Sequence, residues 1–230
     1  MKNKQTQKTL LSALLILTGL SEYREDMLAF AKEVNDNYKT QKMTDKQREY
    51  RISFDEVKEK VDNVLVSLKK HRTMIGYQQF LAAAFSSGVY APPRRSEFVN
   101  IRIKNIDTTL DNFLFKNKII FHSYKTSKKY GRQEYVIPKE VMPILKQYLK
   151  LNKTDFLFPK KDGEASMSNV DYNRLLGKVF GPFISVDALR SIYLSEKYKD
   201  VPSIMVDMEQ TAKEMGHSVD VALRSYVKKG

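Results

Sequence analysis

Apolar residues recur at helical spacing along much of the chain. Between residues 8 and 35, two apolar clusters predict two short helices. Ser53 followed by Glu56 has the form of an N-terminal capping box, and the apolar positions that follow predict a helix, with a second helix over 77–85. The same spacing predicts further helices over 140–149, 170–180, 188–198, 208–215 and 219–227.

Two stretches depart from helical spacing. Residues 35–51 are polar and basic without an apolar stripe, which predicts a linker and a domain boundary near residue 50. Short β-type runs at 113–115, 119–122 and 135–137, separated by polar turns, predict a small antiparallel sheet. The expected fold class is therefore α+β and mainly α-helical, with a partial helical region over 1–50 and a larger domain over 51–230.

Two predicted helix boundaries carry polar residues of interest. Pro92 and Pro93 are typical of a helix start and would put Arg94 on the first turn of a helix. Gly216 stands where one helix would end, and Ser218 stands where it would cap the following helix. His217 is therefore expected in a tight turn between two helices.

The charge balance narrows the class of partner. The chain has 40 Lys and Arg against 27 Asp and Glu, a net charge of +13, which favours a polyanionic partner. Nucleic acid is preferred over an acidic membrane surface, because the longest apolar run, 10–20, is interrupted and too short to span a bilayer. That run could form a signal-peptide core, but no small-residue cleavage pattern follows it, so a reducing compartment is the favoured interpretation.

The residue types also argue against metal and disulfide chemistry. The absence of cysteine excludes disulfides and thiolate metal sites, and three histidines argue against a zinc cluster. The chain shows no acidic cluster arranged for two cations, which argues against a metal-dependent nuclease or transposase.

Residues 116–132 form a basic segment without any acidic residue. Its cations are Lys116, Lys118, Lys125, Lys128, Lys129 and Arg132. One interpretation is a solvated edge hairpin whose charge deters aggregation. The preferred interpretation is a hairpin that faces DNA.

Three separated segments point to a specific chemistry. Residues 87–98 read SGVYAPPRRSEF, in which Arg94 is followed three residues later by an acid, and residues 187–190 read DALR. Residues 216–218 read GHS, and Tyr226 follows nine residues after the histidine. In order and spacing these segments resemble the three boxes of the tyrosine recombinase, or phage integrase, family. The double proline is more similar to recombinases of large DNA viruses, virophages and related mobile elements.

The resemblance implies a site-specific recombinase or integrase that cleaves and rejoins DNA strands through a covalent 3′-phosphotyrosine intermediate. Tyr226 would be the nucleophile, and Arg94 and Arg190 would clamp the non-bridging phosphate oxygens bidentately. A tyrosine hydroxyl, with a reference pKa of about 10, is a poor nucleophile at neutral pH. His217 and the two arginines would assist it.

Other residues receive roles from the same resemblance. Lys125 best fits the hairpin lysine that protonates the departing 5′ hydroxyl, with Lys128 as the alternative. Glu97 would support the first arginine. Arg95 would contact the DNA backbone. The preferred interpretation of the basic segment adds Lys128, Lys129 and Arg132 as DNA contacts.

Asp187 departs from the family pattern, because it stands where the family most often has histidine. A carboxylate there could act as a base toward Tyr226 or orient Arg190. The alternative is an ordinary acidic residue in the first turn of a helix, where the helix dipole favours it. Asp187 is also the best support for a third interpretation, a DNA-binding relative that has lost its activity.

The resemblance further implies double-stranded DNA as partner, no membrane, no cofactor and no metal. It implies a tetramer in the synaptic complex, and a location with DNA, in a bacterial cytoplasm or in a nucleus or virus factory. Because few residues follow Tyr226, we expect a monomer in solution that assembles on its sites with weak cooperativity. Region 1–50 is shorter than the family's helical core-binding domain, so a fragment or reduced form is expected. A type IB topoisomerase or a telomere resolvase remains open as an alternative.

Overall fold

Residues 4–39, 43, 45–221, 223 and 224 are described by the computed structural model of the chain. They belong to two units, Met1–Tyr50 and Arg51–Gly230. In the first unit, α1 (Lys4–Thr18) and α2 (Glu22–Lys39) pack against each other, which confirms the two predicted helices. The predicted linker is wrong in part, because α2 extends to residue 39 and a short helix, α3, spans Asp45–Tyr50. The α3 sequence is rich in good helix formers although it lacks an apolar stripe.

The second unit begins with two helices. The first, α4 (Phe54–His71), starts with the predicted capping box: Ser53 Oγ accepts from the Glu56 N–H at 3.1 Å, and Glu56 Oε2 accepts from the Ser53 N–H at 2.7 Å. The second, α5 (Met74–Ser86), is buried over most of its length, as its run of apolar and small residues requires. These two helices pack together and against α8 (Asn169–Phe180).

A four-stranded sheet lies in the middle of the second unit, in the order β1 (Ile101–Arg102), β2 (Asn112–Phe115), β3 (Lys118–Phe121) and β4 (Gln133–Val136). Strands β2, β3 and β4 pair antiparallel, as predicted. The prediction of a purely antiparallel sheet is wrong, because β1 pairs parallel with β2, with Ile101 opposite Asn112. Residues 103–111 return the chain to the level of Ile101 before β2 begins, so β1 and β2 run in the same direction.

Short and long helices complete the unit. They are a 3₁₀ helix (Ser96–Asn100), α6 (Ser127–Tyr130), α7 (Met142–Leu151), α9 (Val186–Lys197), α10 (Val201–Glu214) and α11 (Val219–Val221). The predicted helix at 208–215 begins earlier, at Val201. The proline in the first turn of α10 is compatible with a helix start at that position. Of the predicted helix over 219–227, residues 222 and 225–227 lie outside the described residues. None of the helices in the described ranges is long and apolar enough to cross a membrane.

An aromatic cluster joins the helices to the sheet. Phe98 in the 3₁₀ helix stacks on Phe85 of α5, with ring centroids 4.8 Å apart. Its ring also meets Phe121 of β3 and Tyr135 of β4 edge to face, at 5.6 and 5.2 Å. Such contacts stabilise a core beyond the area that they bury. The cluster ties the segment just after Arg94 to β3 and to the edge strand β4.

Candidate active site

Arg94 lies in an extended segment between α5 and the 3₁₀ helix, so the prediction that it occupies the first turn of a helix is wrong. The two prolines restrict only the residues that precede them and are compatible with a helix after them, so they do not account for the extended backbone of Arg94. Arg95 is still extended, with φ −68° and ψ −171°, and the following turn is 3₁₀ rather than α. Arg94 therefore lies in a loop, and Arg95 is exposed beside it.

The Arg94 guanidinium is held on three sides. Its Nη1 donates to Gln133 Oε1 on β4 at 2.8 Å. Its Cζ lies 4.3 Å from the centroid of the Phe121 ring and 5.3 Å from that of Tyr124, within the range of cation–π attraction. Glu97 Oε2 lies 4.0 Å from Nε, an ion pair too long to be a hydrogen bond. Side-chain exposure is 21% for Arg94 and 11% for Glu97.

Several buried polar atoms around this guanidinium have no hydrogen-bond partner among the described residues. They are Arg94 Nε, Glu97 Oε2 and Tyr135 Oη. Burial raises the pKa of Tyr135 to about 12, although the nearby Arg94 charge acts in the opposite direction. Buried donors without acceptors are uncommon in folded proteins and are costly unless a ligand or water fills them.

The connection from β3 to β4 carries the candidate general acid. Lys125 is exposed in a turn, and Lys128 and Lys129 are exposed on α6. The Tyr124 hydroxyl donates to the Gly131 carbonyl at 2.7 Å and so closes this loop. No carboxylate among the described residues forms an ion pair with these three lysines.

Two other cations of the basic segment are paired. Glu134 on β4 accepts from Lys118 Nζ and from Arg132 Nη2, each at 2.7 Å. Both cations hold the pKa of the Glu134 carboxyl below its usual value. Arg132, which the basic segment predicts as a DNA contact, therefore forms part of a surface ion-pair network on the sheet.

Asp187 and Arg190 lie on the first turns of α9. Ser185 caps this helix, with its Oγ accepting from the Ala188 N–H at 3.3 Å. Asp187 is thus in the first turn, as predicted, and its Oδ1 accepts from Arg190 Nη1 at 3.1 Å. The Asp187 side chain is 85% exposed, whereas that of Arg190 is 29% exposed. The carboxylate therefore holds the arginine from the solvent side.

A tight contact connects the Arg94 and Arg190 segments. Gly88, in the loop that leads to the prolines, has φ +86°, and a Cβ placed there would lie 2.8 Å from Tyr193 Cγ. Tyr193 is on α9, one turn beyond Arg190, and its ring also packs edge to face on Phe54. Only glycine allows both this backbone conformation and this close approach.

His217 lies in the tight turn that the sequence predicts. Gly216 has φ +76°, its N–H donates to the Lys213 carbonyl at 3.1 Å, and the His217 N–H donates to the Ala212 carbonyl at 3.0 Å. These bonds form a Schellman motif at the end of α10. His217 Nδ1 lies 3.1 Å from the Ser218 carbonyl oxygen, to which it donates in the tautomer that is protonated on Nδ1.

Tyr226, the candidate nucleophile, lies outside the described residues. The last described residue before it, Arg224, pairs with Asp220 at 2.8 Å. Among the described candidates, the structure brings Arg94 together with Glu97 and with the loop that carries Lys125. It also pairs Asp187 with Arg190.

Sequence reasoning missed the residues that hold Arg94. Phe121 and Gln133 are distant from it in sequence and have no motif of their own. Tyr124 had one available signal, its position next to Lys125. Glu134 was missed because it lies just beyond the acid-free segment.

No protein-family model matches the chain, and neither does any curated protein or solved structure. The resemblance to tyrosine recombinases therefore rests on the residues and spacing of the three segments. Among the residues that the structure describes, no group of three or more histidine or acidic side chains is arranged to hold a metal ion.

Proposed function

We propose that this chain is a tyrosine recombinase, which cleaves and rejoins DNA strands through a covalent 3′-phosphotyrosine intermediate on Tyr226. The environment of Arg94 carries the proposal. Its guanidinium is 21% exposed and donates only one hydrogen bond to the described residues, from Nη1 to Gln133. An arginine keeps its charge at any physiological pH, and its planar fork matches two phosphate oxygens. The unfilled donors suit an anionic ligand.

In the proposed cleavage step, the Tyr226 hydroxyl oxygen attacks the scissile phosphorus. A bond forms between this oxygen and phosphorus, and the bond from phosphorus to the 5′ oxygen breaks, so one phosphodiester replaces another. Tyr226 gives its proton to a base, for which Asp187 and His217 are the candidates. The departing 5′ oxygen takes a proton from Lys125. In the rejoining step a 5′ hydroxyl reverses this exchange and releases the tyrosine.

The two arginines would stabilise the negative charge that spreads over the non-bridging oxygens during attack. Arg94 is held by Gln133 and two aromatic rings, and Arg190 is held by Asp187. Groups fixed before the reaction need little reorganisation as charge develops. Removing one such donor is expected to slow cleavage by about 10²- to 10³-fold.

A second candidate function is DNA binding without catalysis, and Asp187 is the observation that favours it. Its carboxylate pairs with Arg190 and partly neutralises a charge that the phosphate would otherwise use. A type IB topoisomerase or telomere resolvase would share the covalent chemistry, and only the DNA products would separate these enzymes from a recombinase.

The test uses a pool of nicked DNA duplexes with randomised sequence around the nick, incubated with the protein in a chelating buffer. The short strand beyond the cleavage site dissociates, which traps the covalent intermediate. Wild type is expected to give a protein–DNA adduct on a denaturing gel, and Tyr226→Phe is expected to give none. Tyr198→Phe, at an exposed tyrosine at the end of α9, is the matched control and should form the adduct. Salt-sensitive binding without any adduct would favour the binding-only function.

A further inference from the structure

The connection from β3 to β4, with the strand ends on either side of it, holds Arg94 and carries Lys125. At its beginning, the rings of Phe121 and Tyr124 lie against the Arg94 guanidinium, at 4.3 and 5.3 Å from Cζ. At its end, Gln133 accepts from Arg94 Nη1 at 2.8 Å. Lys125 is in the turn between these contacts. The position of the arginine and the position of the lysine are therefore set by the same short segment.

Tyr124 is the residue that connects the two. Its ring faces Arg94, it is the neighbour of Lys125 in the chain, and its hydroxyl donates to the Gly131 carbonyl at 2.7 Å. Gly131 has φ +64° and ψ −159°, a conformation that essentially only glycine adopts. The glycine conformation thus orients the carbonyl that accepts from Tyr124. This hydrogen bond connects the two ends of the turn that contains Lys125.

We propose that Tyr124 is a positioning residue with two separable roles. Its hydroxyl holds the turn that presents Lys125 to the departing 5′ oxygen, and its ring holds Arg94 for the non-bridging phosphate oxygens. This inference rests on the proposed recombinase function. Lys125 and Arg94 act on different oxygens of one phosphate, so their separation must be fixed, and small misplacements of such groups are costly in rate.

The two roles predict different responses to the leaving group. A thiol has a pKa of about 8.5, far below that of an alcohol, so a sulfur in the bridging 5′ position departs without help from an acid. A variant that misplaces only Lys125 should therefore be slow on the 5′-oxygen substrate and normal on the 5′-sulfur substrate. A variant that misplaces Arg94 should be slow on both, because the charge on the non-bridging oxygens develops in either case.

The experiment measures the rate of adduct formation on both substrates for Tyr124→Phe and Tyr124→Leu. Tyr124→Phe keeps the ring and loses the hydroxyl; it should be slowed about 10- to 100-fold on oxygen, part of the contribution of a general acid, and unchanged on sulfur. Tyr124→Leu should be slowed on both substrates. Lys125→Ala is the reference for a lost acid. Tyr130→Phe, at an exposed tyrosine of the same loop, is the matched control and should cleave both substrates at the wild-type rate.

Each outcome decides the matter. Two results for Tyr124→Phe would overturn the proposal. One is cleavage of the oxygen substrate at the wild-type rate, and the other is equal slowing on both substrates, which would indicate a general structural loss. Tyr124→Phe preserves the packing of the ring, so it decides the hydroxyl role even if Tyr124→Leu fails to fold. If wild type forms no adduct on either substrate, the recombinase function fails and the proposal fails with it. An active wild type with an insensitive Tyr124→Phe overturns the proposal alone.

Discussion

Replacing Gly88 by alanine should strain the contact between the loop that leads to Arg94 and the helix that carries Arg190. A Cβ at this position would lie 2.8 Å from Tyr193 Cγ and 3.1 Å from Tyr193 Cβ. Rotation of the ring cannot relieve the overlap, because these atoms are at the base of the side chain. The backbone at Gly88, with φ +86°, is also unfavourable for alanine.

The expected cost combines two terms. A left-handed conformation costs an alanine about 1–2 kcal/mol, and overpacking a fitted contact costs about 1–3 kcal/mol. The smaller entropy of an unfolded chain with alanine offsets about 0.4–1 kcal/mol. The net loss in free energy of unfolding is therefore about 3 kcal/mol, which would lower Tm by about 6–12 °C in a domain of this size.

Thermal unfolding followed by circular dichroism measures this loss. Gly177→Ala is the matched control, because a Cβ at Gly177 meets nothing within 4 Å and the residue lies within α8, so alanine should stabilise by about 0.5–1 kcal/mol. In a Tyr193→Ala background, which removes Cγ and the ring and leaves only the 3.1 Å contact with Cβ, Gly88→Ala should retain the backbone cost of about 1–2 kcal/mol and little of the overpacking cost. An unchanged Tm for Gly88→Ala, or the same loss with and without Tyr193, would refute the reasoning.

Three further predictions concern a helix cap, a buried hydroxyl and a lysine. Ser53→Ala removes the capping box of α4 and should cost about 1 kcal/mol, measured by urea unfolding; no change would mean that the two cap bonds contribute nothing. Burial raises the pKa of Tyr135 to about 12, so the unfolded chain ionises first as pH rises above about 10, and stability should fall between pH 10 and pH 12, by about 2–3 kcal/mol from this group. The Tyr135→Phe variant should have the same free energy of unfolding as wild type at neutral pH, and at alkaline pH it should lose about 2–3 kcal/mol less than wild type. An alkaline loss identical to that of wild type would contradict the raised pKa of Tyr135. Lys128→Ala should reduce the slope of log affinity against log salt for duplex DNA by about 0.9, whereas Lys146→Ala on α7 should not; equal slopes would remove Lys128 from the DNA contacts.

Much of the local structure could be predicted from the sequence, because the signals are local. The capping box at Ser53, the caps around His217 and the helical spacing of apolar residues each depend on neighbours within one or two turns. The failures have physical reasons too. Strand β1 is two residues long and carries no alternating pattern, so its parallel pairing with β2 left no signal.

The site was less predictable than the helices. The motif spacing made Arg94 a candidate, but the prediction that it begins a helix was wrong, because Arg95 is still extended and the following helix is 3₁₀. Its partners Phe121, Tyr124 and Gln133 reach it only through the pairing of β3 with β4, and no spacing rule in a single sequence encodes such contacts. The place of Asp187 in the first turn of a helix and its bond to Arg190 were among the options that the sequence left open.

The most direct test of the central claim is to identify the residue and the DNA end joined in the trapped adduct. After nuclease and protease digestion, mass spectrometry of the adduct is expected to find a single modified peptide, with Tyr226 linked to a 3′ phosphate, and a free 5′ hydroxyl on the released strand. Linkage to another residue, attachment through a 5′ phosphate, or strand cleavage without any protein–DNA bond would contradict the account.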